Sequence, residues 1–143
     1  LLGLPESVRA RWRYDVEALR EPGREWDLRF ANWSLGLVGD MHAVDIPIAA
    51  GTDTPIRLAI PGESLHRELE LLVESGLSPQ DAIFAATIAP ARFFGLDAQM
   101  GRILEGQRAD LVLLRANPLE AIRNTREIQG VVAAGEWVRR EAP

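Results

Sequence analysis

Apolar residues recur at helical spacing over residues 7–19, where Val8, Trp12, Val16 and Leu19 share one face. Glu21-Pro22-Gly23 closes this segment. Proline cannot continue a helix, and glycine eases the turn. A second helix is predicted over 24–43, with Trp26, Phe30, Trp33, Leu37 and Met41 in one stripe. Such a stripe reads as a core-packing face. The run Val44-Asp45-Ile46-Pro47-Ile48-Ala49-Ala50-Gly51 is short, apolar and bounded by glycine. It reads as a strand buried on both faces, the pattern of a parallel sheet, where alternation is lost. Helix followed by strand fits an α/β unit.

Three more helices are predicted next. Ser64 can cap the first, whose apolar positions are Leu65, Leu69, Leu72 and Val73, and Gly76 can end it. Ser78-Pro79-Gln80-Asp81 is a helix start: a Ser cap, proline in the first turn and an acid three residues on. Ala82, Ala85 and Ala86 give that helix a small face for close packing. A short helix over 87–94 is closed by Gly95. Beyond Leu96 the character changes. Residues 100–103, 109–114 and 128–132 read as strands, and Ala134-Gly135-Glu136 turns into a last strand over 137–139. One helical turn is predicted within 119–124. Strands this few can form a sheet but hardly close a core of their own.

Composition narrows the chemistry. The chain has 143 residues, 47% hydrophobic and 26% charged, as an ordinary globular domain does. There is no cysteine, which excludes disulfides, thiolate metal clusters and a cysteine nucleophile within the chain. All 16 basic residues are arginine, so Schiff-base chemistry, a P-loop lysine and a carbamylated-lysine ligand are excluded within it as well. The net charge is −5 and the arginines are scattered, often beside Glu or Asp, so nucleic acid is not an expected partner. No apolar run approaches the roughly 20 residues that span a bilayer, and no membrane partner is expected. The apolar start Leu1-Leu2-Gly3-Leu4 meets Pro5 at once and does not read as a signal peptide. The start of the chain leaves the compartment open, with the cytoplasm favoured. The first residue is Leu1 rather than methionine, so the chain is expected to be a piece of a longer protein.

The most informative stretch is Gly51-Thr52-Asp53-Thr54-Pro55. In parallel α/β architectures, ligands gather where strands end and βα loops begin. A carboxylate there can bind a cation or take a proton from a metal-bound water. An Asp between threonines is equally a good turn-former and helix cap. His66 follows 13 residues later, near a helix start on the same side of the predicted strand. It can bind a substrate carboxylate, orient Asp53 or ligate a metal, or it can pair with Glu70 on the helix surface. His42, at the other end of the strand, reads as a helix-terminus cation or a packing residue. Asp81 and Asp110 read as a helix cap and a strand-edge turn residue. Glu68 and Glu70 read as part of a solvated helix face. No Walker-type phosphate loop, His-Glu-x-x-His zinc helix or Gly-x-Ser-x-Gly elbow occurs.

The order of these pieces carries a family resemblance. Ala50-Gly51-Thr52-Asp53-Thr54 is followed by a run from Leu65-His66-Arg67-Glu68-Leu69 to Ser78-Pro79-Gln80-Asp81-Ala82. Then come Ala86-Thr87-Ile88-Ala89-Pro90-Ala91-Arg92, Gly101-Arg102-Ile103 and Gly106-Gln107-Arg108-Ala109-Asp110-Leu111-Val112. Over residues 44–138 the chain resembles the end of a metal-dependent amidohydrolase, of the imidazolonepropionase-like and prolidase-like branch. The resemblance implies an α/β fold: the last strand and helices of a (β/α)₈ TIM-type barrel within residues 1–96, and the carboxyl-terminal strands of a small composite β-sandwich within 97–143.

It further implies hydrolysis of an amide or cyclic-amide C–N bond in a small-molecule substrate by metal-activated water. Asp53 would be a metal ligand and proton carrier, and His66 would lie near the substrate. The implied cofactor is a divalent metal, zinc foremost, with its other ligands outside this chain. The family's His-x-His pair, its bridging lysine or glutamate and its two further histidines have no counterpart here. One carboxylate does not make a metal site, which takes three or more protein ligands. A whole barrel also takes about 250 residues. The implied partner is therefore the remainder of the barrel, in the same or a companion chain, and the isolated chain is expected to be inactive. The alternative expectation is a non-catalytic interaction or assembly domain that pairs with itself, as a homo-oligomer, or with another chain through exposed apolar and strand-edge surface.

Overall fold

The structure is a computed structural model that describes residues 5–19, 25–54 and 59–138. The turn at Glu21-Pro22-Gly23, Pro55, Arg139 and the side chains of Val16, Leu19 and Trp26 lie outside what is described. Among the described residues five helices come first: α1 (Glu6–Leu19), α2 (Glu25–Ala43), α3 (Glu63–Glu74), α4 (Pro79–Ala86) and α5 (Ile88–Phe93). Strand β1 (Leu111–Leu114), a 3₁₀ turn at Ile122–Arg126, β2 (Ile128–Ala133) and β3 (Glu136–Val138) follow. The three strands form one antiparallel sheet in the order β1-β2-β3, with an irregularity in register between Leu113 and Leu114.

Three helices end in the same way. After α3, Gly76 adopts φ 110°, its N–H donates to the Val73 carbonyl, and the Leu77 N–H reaches the Leu72 carbonyl. After α5, Gly95 (φ 68°) donates to Arg92 and Leu96 to Ala91. This is the Schellman arrangement, which occupies carbonyls a helix end would otherwise leave unpaired. At the end of α2 the left-handed residue is Asp45 (φ 59°), which donates to His42 while Ile46 donates to Met41. Asp is among the few residues with a Cβ that tolerate this region.

That third cap corrects the expected strand over 44–51. Val44 and Asp45 are spent on ending α2, and residues 46–53 are irregular rather than a strand. The physical reason is the missing neighbour: a strand exists only against another that supplies ladder bonds. In its place, the Ala50 N–H donates to the Ala85 carbonyl at 2.8 Å, and Ile48 and Ala50 pack against the core. Residues 100–103 are not a strand either. Gly101 adopts φ 97°, and the Gln107 side chain accepts from the Arg102 N–H and donates to the Asp97 carbonyl, closing a loop. Ser64, expected as a cap, sits inside α3; its hydroxyl accepts from the Ile60 N–H at 2.7 Å, and Gly62 precedes the helix. Ser78 caps α4 as expected, accepting from the Asp81 N–H at 3.1 Å behind Pro79.

The core is small: Leu69, Leu72, Leu77, Ala82, Ala85 and Ile122, with Val38, Val73 and Ile83 against it. Burying each large apolar side chain contributes about 1.5–3 kcal/mol. Helix α2 joins this core through a close approach. A Cβ at Gly39 would stand 2.2 Å from the Ser75 carbonyl oxygen, so only glycine lets α2 touch the end of α3. The expected core stripe of α2 is a correction too: Phe30 (53%), Trp33 (59%) and Leu37 (40%) are exposed. Val38 and Gly39 meet α3 instead. No helix of the described residues is long and apolar enough to cross a membrane.

Candidate functional site

The stretch over 46–54 is held by three elements of the bonding pattern. The Ala50 N–H goes to the α4 carbonyl of Ala85. The next amide, Gly51 N–H, donates to Glu68 Oε1 on α3 at 3.1 Å. Beyond it, the hydroxyls of Thr52 and Thr54 share a 2.7 Å hydrogen bond, and the Thr54 N–H points at Thr52 Oγ1. Between the two threonines Asp53 takes a left-handed backbone (φ 52°). For a residue with a Cβ this region costs roughly 1–2 kcal/mol, and Asp and Asn bear it best. The side chain of Asp53 is exposed, and its carboxylate has no hydrogen-bond or ion-pair partner among the described residues.

His66 is turned elsewhere. Its Nδ1 lies 3.0 Å from Thr125 Oγ1, and that hydroxyl donates to the Ile122 carbonyl at 2.9 Å. With its single proton so used, the Thr125 hydroxyl accepts from His66 Nδ1–H. His66 and Glu68 are two positions apart, ~200° around the helix. Glu68 therefore touches the Gly51 loop while His66 faces the 3₁₀ turn from the other side of α3. No hydrogen bond or ion pair joins His66 to Asp53 among the described residues.

Both glutamates are half-buried and hydrogen-bonded rather than free on the helix face: Glu68 to the Gly51 N–H and Glu70 to two arginines. Glu70 accepts from Arg126 Nε at 2.9 Å and from Arg67 at 3.3 Å, and Arg126 also contacts Glu63. Arg67 reaches on to Glu74 at 2.8 Å. The ladder ties the 3₁₀ turn to α3 beside the buried Ile122. Arg126, and after it Arg67, hold the Glu70 carboxyl below its ordinary value of 4.5. A carboxylate with a depressed folded value stabilises above its unfolded value, and the contribution is lost as pH falls through the folded one. Arg126→Gln is therefore expected to lower stability at pH 7 by under about 1 kcal/mol, as exposed pairs do. The difference from the parent should shrink below about pH 4. Melting curves of both proteins at pH 7 and pH 3 check this; a gap that widens at pH 3 would contradict it.

Two other carboxylates do what the sequence suggests. Asp81 completes the α4 cap and lies 3.8 Å from His42 Nε2. Asp110 accepts from the Ala134 N–H at 2.8 Å, holding the turn between β2 and β3, where Ala134 and Gly135 both have positive φ. That bond, with Arg108 next, keeps the Asp110 carboxyl below its usual range. The residue sequence reasoning missed is Glu68. The available signal was its spacing: it stands four residues before the buried Leu72, on the edge of the core-facing stripe rather than on the solvent side.

Among the described residues no three His, Asp or Glu side chains come together closely enough to hold a metal ion. Asp53 fits as one donor of such a site, being an open carboxylate at a fixed turn, but a site needs more donors than that.

The sequence matches the model of the Amidohydrolase family over residues 36–138, and the chain belongs to that family. Ochratoxinase of Aspergillus niger is 39% identical over 88 residues, 60% of this chain and 17% of that protein. Adenine deaminase of Paracoccus denitrificans (strain Pd 1222) is 40% identical over 73 residues, 49% of this chain and 12% of that protein. In structure, a Xaa-Pro dipeptidase with bound methionine in its active site superposes with a TM-score of 0.68 at 25% identity. The match covers 74% of this chain and 25% of that one. The chain thus spans a quarter or less of the length of these relatives.

Proposed function

We propose that this chain is the carboxyl-terminal section of a metal-dependent hydrolase that cleaves a C–N bond in a small molecule, and that it is inactive alone. In this reading residues 1–96 complete a (β/α)₈ barrel and 97–143 complete a β-sandwich. The remainder of the barrel, in the same or a companion chain, packs against the face of α2 that exposes Trp33 and Leu37. The family match supports it, as do relatives named for a deaminase and a dipeptidase, two ways of breaking a C–N bond. The observation that carries it is Asp53: an exposed carboxylate, unpaired among the described residues, presented by a turn that two helices anchor.

A divalent metal, zinc foremost, held mainly by residues outside this chain, would lower the pKa of a water molecule. Asp53 would contribute one oxygen to that metal. Its other role is to take the proton released from the attacking water and return it to the departing nitrogen. His66, with Nδ1 committed to Thr125, keeps Nε2 for a polar group of the substrate. The test is hydrolysis of a panel of dipeptides and N-acyl amino acids by the full-length polypeptide. Activity should vanish with a chelator and return with added zinc, while the 143-residue chain shows none. Activity indifferent to the chelator overturns the metal, and activity of the 143 residues alone overturns the division of the site.

A further inference from the structure

We propose that Glu68 is a positioning residue: by accepting the Gly51 amide proton it holds the turn that presents Asp53. The inference rests on the assignment of Asp53 in the proposed function. Among the described residues, Glu68 is the one side chain from another element that hydrogen-bonds to residues 46–54. The Ala50–Ala85 bond is backbone to backbone, and the Thr52–Thr54 contacts are local to the turn. Among the described residues, therefore, only the Glu68 bond ties the turn itself to a helix through chemistry that a substitution can remove.

The helix is a firm base for it. Leu69, directly after Glu68, and Leu72, one turn on, are both about 5% exposed, and the Schellman bonds fix the end of α3. An ionised acceptor on a backbone N–H makes a stronger bond than a neutral pair. Gly51 precedes Asp53 by two residues, and Asp53 must be kept in a backbone region that few residues favour. Without the anchor the carboxylate would stray, and a displacement of about 1 Å at a reacting group can cost on the order of 100-fold in rate.

The experiment uses Glu68→Ala, Glu68→Ser and Glu68→Gln in the full-length polypeptide, with Asp53→Asn in parallel. Glutamine keeps the accepting oxygen; alanine and serine do not reach. The Ala and Ser variants are expected to lose about 10- to 100-fold in kcat with KM little changed, and Gln to recover most of it. Amide exchange at Gly51 should quicken in Ala and Ser but not in Gln, with exchange at Leu72 as the measure of global folding. Unchanged Gly51 exchange in both Ala and Ser, or a Gln variant as impaired as Ala, overturns the role of Glu68. A fully active Asp53→Asn instead overturns the assignment of Asp53, whatever Gly51 exchange reports.

Discussion

Asp53→Asn in the full-length polypeptide is expected to lower kcat/KM by about 10²- to 10⁴-fold, the range for losing a positioned acid–base group, with the fold intact. The substitution isolates the chemistry because asparagine is nearly the same shape. It tolerates the left-handed backbone that Asp53 occupies as well as aspartate does. The Thr52–Thr54 contacts that shape the turn do not involve the side chain at 53. Being exposed and unpaired among the described residues, the carboxylate also has no ion pair to forfeit. Stability should therefore stay within about 0.5 kcal/mol of the parent. What changes is charge and basicity: an amide neither accepts a proton near neutral pH nor neutralises a cation. Turnover measured beside a melting curve separates the two contributions, and full activity in the Asn variant would show that proton transfer runs through another group.

How legible this was depended on where each cause lies. The helix ends at Gly76 and Gly95 are visible because glycine advertises positive φ, whereas Asp45 does the same work and reads as the first turn of a strand. The strand over 44–51 has the right composition, but strands are properties of pairs, and the described residues provide no neighbour for it. The α2 stripe failed as a core for a related reason. Periodicity shows which face is apolar, not which surface covers it. Asp53 stood out in the sequence because ligands gather at strand ends in α/β architectures; the structure places it on an exposed turn after an irregular stretch instead. Glu68 did not stand out, since its partner is a backbone amide 17 positions away that carries no side-chain signature. His66 was read from its position near the helix start, but its contact depends on the angle around α3, which sends it to Thr125.

The largest loss of stability is expected from Leu72→Ala, because three causes meet at that residue. Its side chain is only 5% exposed and lies among Leu69, Leu77, Ala82, Ala85 and Ile122. Removing it discards the transfer free energy of the buried methyl groups. It also leaves a cavity that the site is poorly able to close. Ala82 and Ala85 have no side chain that could swing inward, and both sit on the short helix α4, fixed by the Ser78 cap. Finally, Leu72 supplies the carbonyl that receives the Leu77 N–H, and the apolar contact between these two positions accompanies the helix-ending motif. Alanine keeps the carbonyl but not the contact. The expected cost is toward the upper part of the 2–5 kcal/mol range known for buried Leu→Ala changes. Leu65→Ala on the same helix is the control: at 40% exposure it should cost under about 1 kcal/mol. Urea unfolding of both variants should show a large drop in midpoint for Leu72→Ala with an unchanged slope. Equal losses at the two leucines would mean that α3 does not bury the face assigned to it, and the placement of Glu68 against Gly51 would fall with it.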